Sequence, residues 1–266
     1  MRSARVRYGV RAFVAAVGCA GIAAFTAGQA YADEGSDVGG NYVALGDSYT
    51  AGPLIPMQNG QPAACLRSDH NYPSLVNAAL HSSSFKDVSC SGSTTKDMFS
   101  SQTATGNPPE LNAVTEHTDL VSLGIGGNDI GFSDIILTCA VQSPTKPLGA
   151  GCRDYYNRTG KDEIAQRIDA TKAKVVAVLE AIDKRAPDAK KLVVGYPTIL
   201  PDSGPGCFPV IPFSPGDVAY LRQTTKRLNS MLADAADEGG AEFVDTYHSS
   251  IGHDVCKLPG TKWVEG

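Results

Sequence analysis

Apolar residues concentrate in five short segments of the chain, separated by longer stretches that follow a different pattern. The segments cover residues 42–47, 85–90, 119–129, 191–197 and 241–247. In 119–129, DLVSLGIGGND, apolar residues follow one another directly, which is typical of a parallel strand buried on both faces. We predict that all five segments are β-strands.

Two of the intervening stretches carry apolar residues at steps of three and four positions, the spacing of an amphipathic helix. The first stripe comprises Ile164, Ile168, Thr171, Val175, Leu179 and Ile182. The second comprises Val218, Leu221, Leu228 and Leu232. Ser214 and Pro215 precede the second stripe, and a serine N-cap followed by proline favours a helix start there. A shorter helix is predicted over 72–80.

Strands that alternate with helices predict an α/β fold whose mostly parallel sheet is covered on both faces. In such sheets the functional site lies at the carboxyl ends of the strands. The first three predicted strands end in small polar triplets, Gly46-Asp47-Ser48, Ser91-Gly92-Ser93 and Gly127-Asn128-Asp129. We therefore expect these triplets to meet at one edge of the sheet and to form the site.

The triplets contain the groups that acyl transfer requires. Ser48 is a candidate nucleophile, provided that a base takes its proton during attack. Attack on an ester carbonyl creates an oxyanion, for which the backbone N–H groups of Ser48 and Gly92 and the side-chain amide of Asn128 are candidate donors. Alternatively, Gly46-Asp47-Ser48 is only a polar turn, and Asn128 is only the N-cap of the next helix.

The first 32 residues have the layout of a secretory signal peptide, with a basic start, the apolar run FVAAVGCAGIAAFTAG and small residues at Ala30-Tyr31-Ala32. We predict cleavage after Ala32 and one mature, secreted domain over 33–266. Removal of four arginines leaves 19 basic residues against 28 acidic ones, a formal charge of −9. This charge disfavours nucleic acid as a partner, and no further apolar run is long enough for stable membrane insertion.

Six cysteines remain in the predicted mature chain, an even number that favours disulfides in an exported protein. They are Cys65, Cys90, Cys139, Cys152, Cys207 and Cys256. Their spacing leaves the connectivity open, with pairing of sequence neighbours as the simplest arrangement. The chain contains no CxxC pair, which argues against a zinc ribbon or a thioredoxin-like redox site.

The segments GDSYTAG (46–52), SCSGSTT (89–95) and GIGGND (124–129) occur in this order at successive predicted strand ends. They resemble the first three sequence blocks of the SGNH, or GDSL, hydrolase family. The segments VVGYPTILP (193–201) and GHDVCKLPGTKWVEG (252–266) and the six cysteines look like the secreted actinobacterial lipases and esterases of that family. The resemblance extends from about Asn41 to the last residue.

The resemblance implies a three-layer α/β/α fold with a five-stranded parallel sheet of flavodoxin-like order. It implies that Ser48 is the nucleophile and that Gly92 and Asn128 complete the oxyanion hole. It also supports the disulfide pairs Cys65–Cys90, Cys139–Cys152 and Cys207–Cys256. The implied protein is a monomer that hydrolyses a carboxylic ester through an acyl-enzyme, without a metal or organic cofactor.

The substrate class is predicted to be a lipid or a small acyl ester. The apolar, proline-rich segments PGCFPVIPFSP (205–215) and AGPLIPM (51–57) either line an acyl groove or pack as ordinary loops. A polysaccharide or small-ester deacetylase is the alternative within the enzymes. A non-catalytic binding module that has lost its base is the alternative of a different class.

The general base is the part of the machinery that the sequence does not place. Asp245 and His248 match the D-x-x-H pattern of the family directly after the fifth predicted strand, and His253 follows closely. However, the residues after Tyr247 show no amphipathic stripe for the helix that a fifth strand requires. In the lipase branch, moreover, the block containing His253 precedes the catalytic block. We therefore expect a domain that is truncated at its C-terminus and lacks its last helix, with the base beyond Gly266.

After a base beyond Gly266, His248 is the next candidate. The other three histidines, His70, His81 and His117, fall in parts of the chain where the family does not place a base. They are expected either at the surface or behind the residues of the site.

Overall fold

Five strands form one parallel sheet in the computed structural model, which describes residues 39–264. They are β1 (Asn41–Gly46), β2 (Ser84–Asp87), β3 (Leu120–Gly124), β4 (Lys190–Val194) and β5 (Glu242–Val244). Their spatial order is β2-β1-β3-β4-β5, and every neighbouring pair is parallel. The predicted α/β class and flavodoxin-like strand order are therefore confirmed. The predicted signal peptide over 1–32 lies outside the described residues.

Helices connect these strands. The α-helices are α1 (Ser48–Ala51), α2 (Tyr72–Leu80), α3 (Phe132–Gln142), α4 (Gly151–Tyr156), α5 (Glu163–Asp183), α6 (Pro215–Glu238) and α7 (Thr246–Ser249). Short 3₁₀ turns cover Ala63–Cys65, Thr95–Met98, Glu110–Ala113 and Ser143–Thr145. The Ser214 side chain caps α6 by accepting a hydrogen bond from the backbone N–H of Asp217, as the sequence predicted.

Helices α3 and α4 were not among the sequence-based predictions. In α3, Ile135 and Cys139 are buried while Leu137 and Val141 are exposed, so apolar residues occupy more than one face. Such a helix shows no single stripe of period 3.6. The helix also begins after Gly131, whose left-handed backbone provides no side-chain cap. The sequence therefore carries neither of the two usual signals for this helix.

The two faces of the sheet are covered to different extents. Alternate residues of the central strands, such as Leu45 and Leu123, belong to the main core together with α5 and α6. On the opposite face, Val76 and Leu80 of α2 pack against a smaller cluster around Tyr42. The only α-helix that follows β5 in residues 39–264 is the single-turn α7.

Three disulfides link the six cysteines of the described residues. The pairs are Cys65–Cys90, Cys139–Cys152 and Cys207–Cys256. The predicted nearest-neighbour connectivity is therefore confirmed. The first bridge adjoins Gly92, and the third joins the loop before α6 to the segment after α7. Each bridge typically contributes about 2–4 kcal/mol to the free energy of unfolding.

Candidate active site

Ser48 lies at the turn between β1 and α1, where it is the first residue of the helix. The Asp47 carboxylate caps this helix by accepting a hydrogen bond from the backbone N–H of Tyr49 at 2.9 Å. The backbone N–H of Asp47 donates to the Gly124 carbonyl at 2.9 Å, which joins the turn to the end of β3. These bonds hold the Ser48 side chain at the carboxyl edge of the sheet, where it is half-buried.

Gly92 follows the end of β2 and has a backbone φ of +81°, a conformation that favours glycine. The next residue, Ser93, donates its hydroxyl to Oε1 of Glu110 at 2.6 Å. The other oxygen of Glu110 accepts the backbone N–H of Gly46 at 2.7 Å. Burial raises the pKa of Glu110 well above its usual range. Glu110 thus connects the first triplet to the second.

Asn128 follows β3 and contacts the second triplet directly. Its side-chain Nδ2 donates to the Ser93 carbonyl at 2.8 Å. Since a side-chain amide carries two N–H donors, one remains for another acceptor. Gly131, and not Asn128, is the residue that precedes the first turn of α3. Asn128 is therefore not the N-cap of that helix, which was the alternative interpretation of this residue.

Tyr196, directly after β4, joins the first triplet to the third. Its hydroxyl donates to Oδ2 of Asp47 at 2.5 Å and accepts the backbone N–H of Gly127 at 2.7 Å. The ring of Tyr49 packs edge-on against it with centroids 5.2 Å apart. The sequence analysis assigned no role to Tyr196. The one available signal was its position next to the fourth strand end, since nothing local shows that it faces Asp47.

One pocket contains Ser48, Asn128 and the Asp47–Tyr196 pair. Its apolar wall includes Ile130, Phe132, Ile199 and Leu228. Gly92 is not part of this wall, and the connection from Gly92 to the pocket runs through Ser93 and the Asn128 amide. Two of the three predicted site residues therefore share a pocket, and the third lies on the adjoining turn.

An apolar groove continues from this pocket toward the loop before α6. Tyr49, Phe132, Ile199 and Thr225 line both the pocket and the groove. The rest of the groove wall is formed mainly by apolar residues, namely Ile136, Ala140, Leu200, Val210, Ile211, Pro212, Phe213, Leu221, Val255 and Val264. The proline-rich segment 205–215 thus contributes four groove residues, while 51–57 contributes none to the pocket or the groove.

All five histidines belong to the described part of the chain, and none of them lines the pocket of Ser48. His248 lies in α7 after β5, where its ring bonds to the Asp245 carboxylate. Three strand spacings separate β5 from β1, which is about 14 Å and far beyond hydrogen-bond distance. His253 stacks on Trp263 at 3.8 Å and bonds to the Thr261 carbonyl. The remaining three, His70, His81 and His117, are exposed, as expected.

The described residues contain no candidate metal site. Across residues 39–264, no group of three His, Cys, Asp or Glu side chains is arranged to hold a metal ion. The search for membrane-crossing helices over the same residues finds none of sufficient length and apolar character.

Burial of Asp47 raises the pKa of its carboxyl to about 7, against the opposing effect of the hydrogen bonds from Tyr196 and Tyr49. The folded protein therefore holds this proton to a higher pH than the unfolded chain, in which the pKa of the carboxyl is about 4. The resulting contribution favours folding at low pH and is lost as the pH rises from about 4 to about 7.

We expect Asp47→Asn to make the free energy of unfolding less dependent on pH across this range, as measured by urea unfolding at several pH values. Each unit by which the pKa is raised corresponds to about 1.4 kcal/mol of lost stability at high pH. Glu110 contributes a slope of the same sign, so the dependence is expected to decrease and not to disappear. An unchanged slope would show that the pKa of Asp47 is not raised in the folded protein.

Comparison with known proteins places this arrangement in a family. Residues 44–266 match the family described as GDSL-like lipase/acylhydrolase. Lipase 2 of Streptomyces coelicolor is 38% identical over 228 residues, covering 85% of this chain and 76% of that protein. The crystal structure of phospholipase A1 from Streptomyces albidoflavus superimposes with a TM-score of 0.71 at 29% identity, covering 86% of this chain and 87% of that one. The extracellular lipase of Streptomyces rimosus gives a TM-score of 0.70 at 31% identity, covering 85% and 88%.

Proposed function

The chain belongs to the GDSL-like lipase/acylhydrolase family and is a carboxylic-ester hydrolase, and from this premise we propose that Ser48 forms the acyl-enzyme. The observation that carries the proposal is that Ser48 and Asn128 line one pocket at the carboxyl edge of the sheet. In this scheme Ser48 Oγ attacks the ester carbonyl, the alcohol leaves, and water then releases the acid from the serine.

The oxyanion would be held by the backbone N–H groups of Ser48 and Gly92 and by the second N–H of the Asn128 amide. Within residues 39–264, neither of these backbone N–H groups donates to a protein acceptor. The N–H groups of the first residues of a helix have no partner inside that helix. Ser48 is the first residue of α1. Donors that are in place before the reaction cost no reorganisation when negative charge develops.

Tyr196 and Glu110 hold this arrangement in place through hydrogen bonds. Tyr196 ties the peptide before Asn128 to Asp47, the neighbour of the nucleophile. Glu110 ties Gly46 to Ser93, whose carbonyl in turn holds the Asn128 amide. The three donors come from distant parts of the sequence, so their common orientation depends on these buried bonds.

The general base is not supplied by a histidine in the pocket. The expectation that it lies beyond Gly266 remains a prediction, with His248 as the second candidate. The Ser48 experiment that opens the Discussion tests where the base lies.

Export from the cell is part of the proposal. Three disulfides join the described cysteines, and such bonds persist in oxidising compartments. A structural relative with 31% identity is an extracellular lipase. The signal peptide over 1–32 is the matching prediction from the sequence.

The substrate is proposed to be an ester of a lipid-like acid, because the apolar groove begins at the Ser48 pocket. Each methylene of an acyl chain that leaves water contributes about 0.8 kcal/mol. Rates are therefore expected to increase from acetate to medium-length chains until the groove is filled. The relatives named as lipases and as a phospholipase A1 support the same substrate class.

Filling the groove by Ala140→Trp is expected to lower kcat/KM for p-nitrophenyl octanoate about tenfold or more, and to leave p-nitrophenyl butyrate nearly unchanged. The physical reason is that the indole ring occupies the space of the outer methylenes. Ala170→Trp, on the exposed side of α5, is the matched control and should leave both rates unchanged. If rates peak at acetate and fall with each added carbon in the unmodified protein, the deacetylase alternative holds.

A further inference from the structure

Large apolar side chains are exposed around the outer end of the groove. Leu137 and Val141 of α3 are 66% and 69% exposed, and Leu148 in the following loop is 95% exposed. Phe208 and Val210, in the loop before α6, are 73% and 71% exposed. These five residues are called the apolar rim. Leaving this much apolar surface in water is unfavourable unless another apolar surface covers it.

Hydrogen bonds and a disulfide bring the segments of the rim together. Val210 is itself a groove residue, and the Cys207–Cys256 bridge joins its loop to the chain next to Val255 in the groove wall. The Ser143 hydroxyl, at the end of α3, accepts the backbone N–H of Ser214 at 2.6 Å, directly after groove residue Phe213.

The remaining rim residues adjoin the groove wall in the same way. The Gly149 carbonyl, next to Leu148, accepts the Ser214 hydroxyl at 2.9 Å. Leu137 and Val141 each follow a groove residue of α3 in sequence, Ile136 and Ala140. The segments that carry the five rim residues therefore adjoin the groove wall.

The two segments that carry the apolar rim contain almost no charge. Segments 135–150 and 203–216 together contain one charged residue, Lys146, although 19% of the whole chain is charged. Lys146 is paired with Asp154 at 2.7 Å. A surface that docks on anionic lipid carries clusters of Lys and Arg. A surface that docks on a folded protein carries polar and Arg side chains for hydrogen bonds. The two segments of the apolar rim contain no Arg and no cluster of Lys.

We propose that the apolar rim docks the protein on the surface of a neutral lipid aggregate, so that an acyl chain can pass from the aggregate into the groove. The inference rests on the proposed ester hydrolysis at Ser48, since the groove leads to that residue. A fluid hydrocarbon surface covers the exposed side chains and also leaves the groove open to a chain. Binding of this kind increases with the apolar area that is buried and does not require charge.

The test is sedimentation of the full chain, carrying Ser48→Ala to prevent hydrolysis, with phosphatidylcholine vesicles. Leu148→Ser and Phe208→Ser, separately and together, remove rim residues. Leu75→Ser is the matched control, because Leu75 is 60% exposed on α2 at the opposite face of the sheet. We expect the double variant to lower the partition coefficient about tenfold or more, the control to leave it unchanged, and added phosphatidylglycerol not to strengthen binding.

The proposal is overturned if the protein does not sediment with the vesicles, or if Leu75→Ser lowers binding as much as the rim variants do. It is also overturned if the rim substitutions instead abolish a dimer detected by sedimentation velocity, which would assign the rim to a second copy of the chain. Hydrolysis of p-nitrophenyl butyrate by the rim variants with Ser48 intact is measured in parallel. If vesicle binding is lost and turnover is retained, the rim substitutions act on docking alone. If turnover is absent and vesicle binding is retained, the proposed ester hydrolysis at Ser48 fails while the docking proposal stands.

Discussion

Ser48→Ala is expected to remove all protein-dependent hydrolysis of p-nitrophenyl butyrate, because the proposed acyl-enzyme forms on the Ser48 hydroxyl. Where a serine hydrolase has its complete machinery, loss of the serine costs about a millionfold in turnover. The measurement compares the rate of 33–266 with that of its Ser48→Ala variant. The variant keeps the backbone N–H of residue 48, so its folding and its vesicle binding serve as controls for structure.

The same comparison with added imidazole locates the base, because no histidine of residues 39–264 lines the pocket. A rate that depends on Ser48 without imidazole indicates a base within 33–266 and makes His248 the leading residue. A rate that depends on Ser48 only when imidazole is present supports a base beyond Gly266. Labelling by a fluorophosphonate, located by mass spectrometry, should occur on Ser48. If neither labelling nor any rate depends on Ser48, the chain is a binding module and the nucleophile assignment is wrong.

Asn128→Ala is expected to lower kcat about a hundred- to a thousandfold, with a much smaller effect on KM, in any form that turns over. The amide N–H would act on charge that is present in the transition state and absent from the bound ester, so its loss affects turnover more than binding. Steady-state kinetics with p-nitrophenyl butyrate provides the measurement.

A structural contribution of Asn128 has to be separated from the catalytic one, since its amide also donates to the Ser93 carbonyl. Loss of one such bond typically costs about 1 kcal/mol of the free energy of unfolding. Asn112→Ala, at an exposed asparagine, controls for the substitution itself. Asn128→Asp retains the shape without an N–H donor and should be as slow as Asn128→Ala. Unchanged kcat in either Asn128 variant would remove Asn128 from the oxyanion hole.

Much of the fold could be predicted from the sequence because its signals are local. Helix α2 over 72–80 and the Ser214 cap of α6 depend on residues within one or two turns of the chain. Buried parallel strands are also visible as apolar runs. The predicted strands extended too far, however, since β3 ends at Gly124 and residues 125–129 form the turn that carries Asn128. Apolar composition alone does not show where a run leaves the sheet.

The sequence by itself determined the order of the five strands and of helices α2, α5 and α6, the three polar strand ends and the presence of a serine with candidate donors, since each is encoded in neighbouring residues. Only the tertiary structure decided which distant groups hold them. Tyr196 bonds to Asp47 across 149 positions, and Glu110 bonds to Gly46 across 64. The tertiary structure also decided that His248 lies at the far edge strand. The physical reason is that the order of the strands in the sheet, and not their separation along the chain, sets which strand ends meet. Local sequence patterns contain no information on that spatial order.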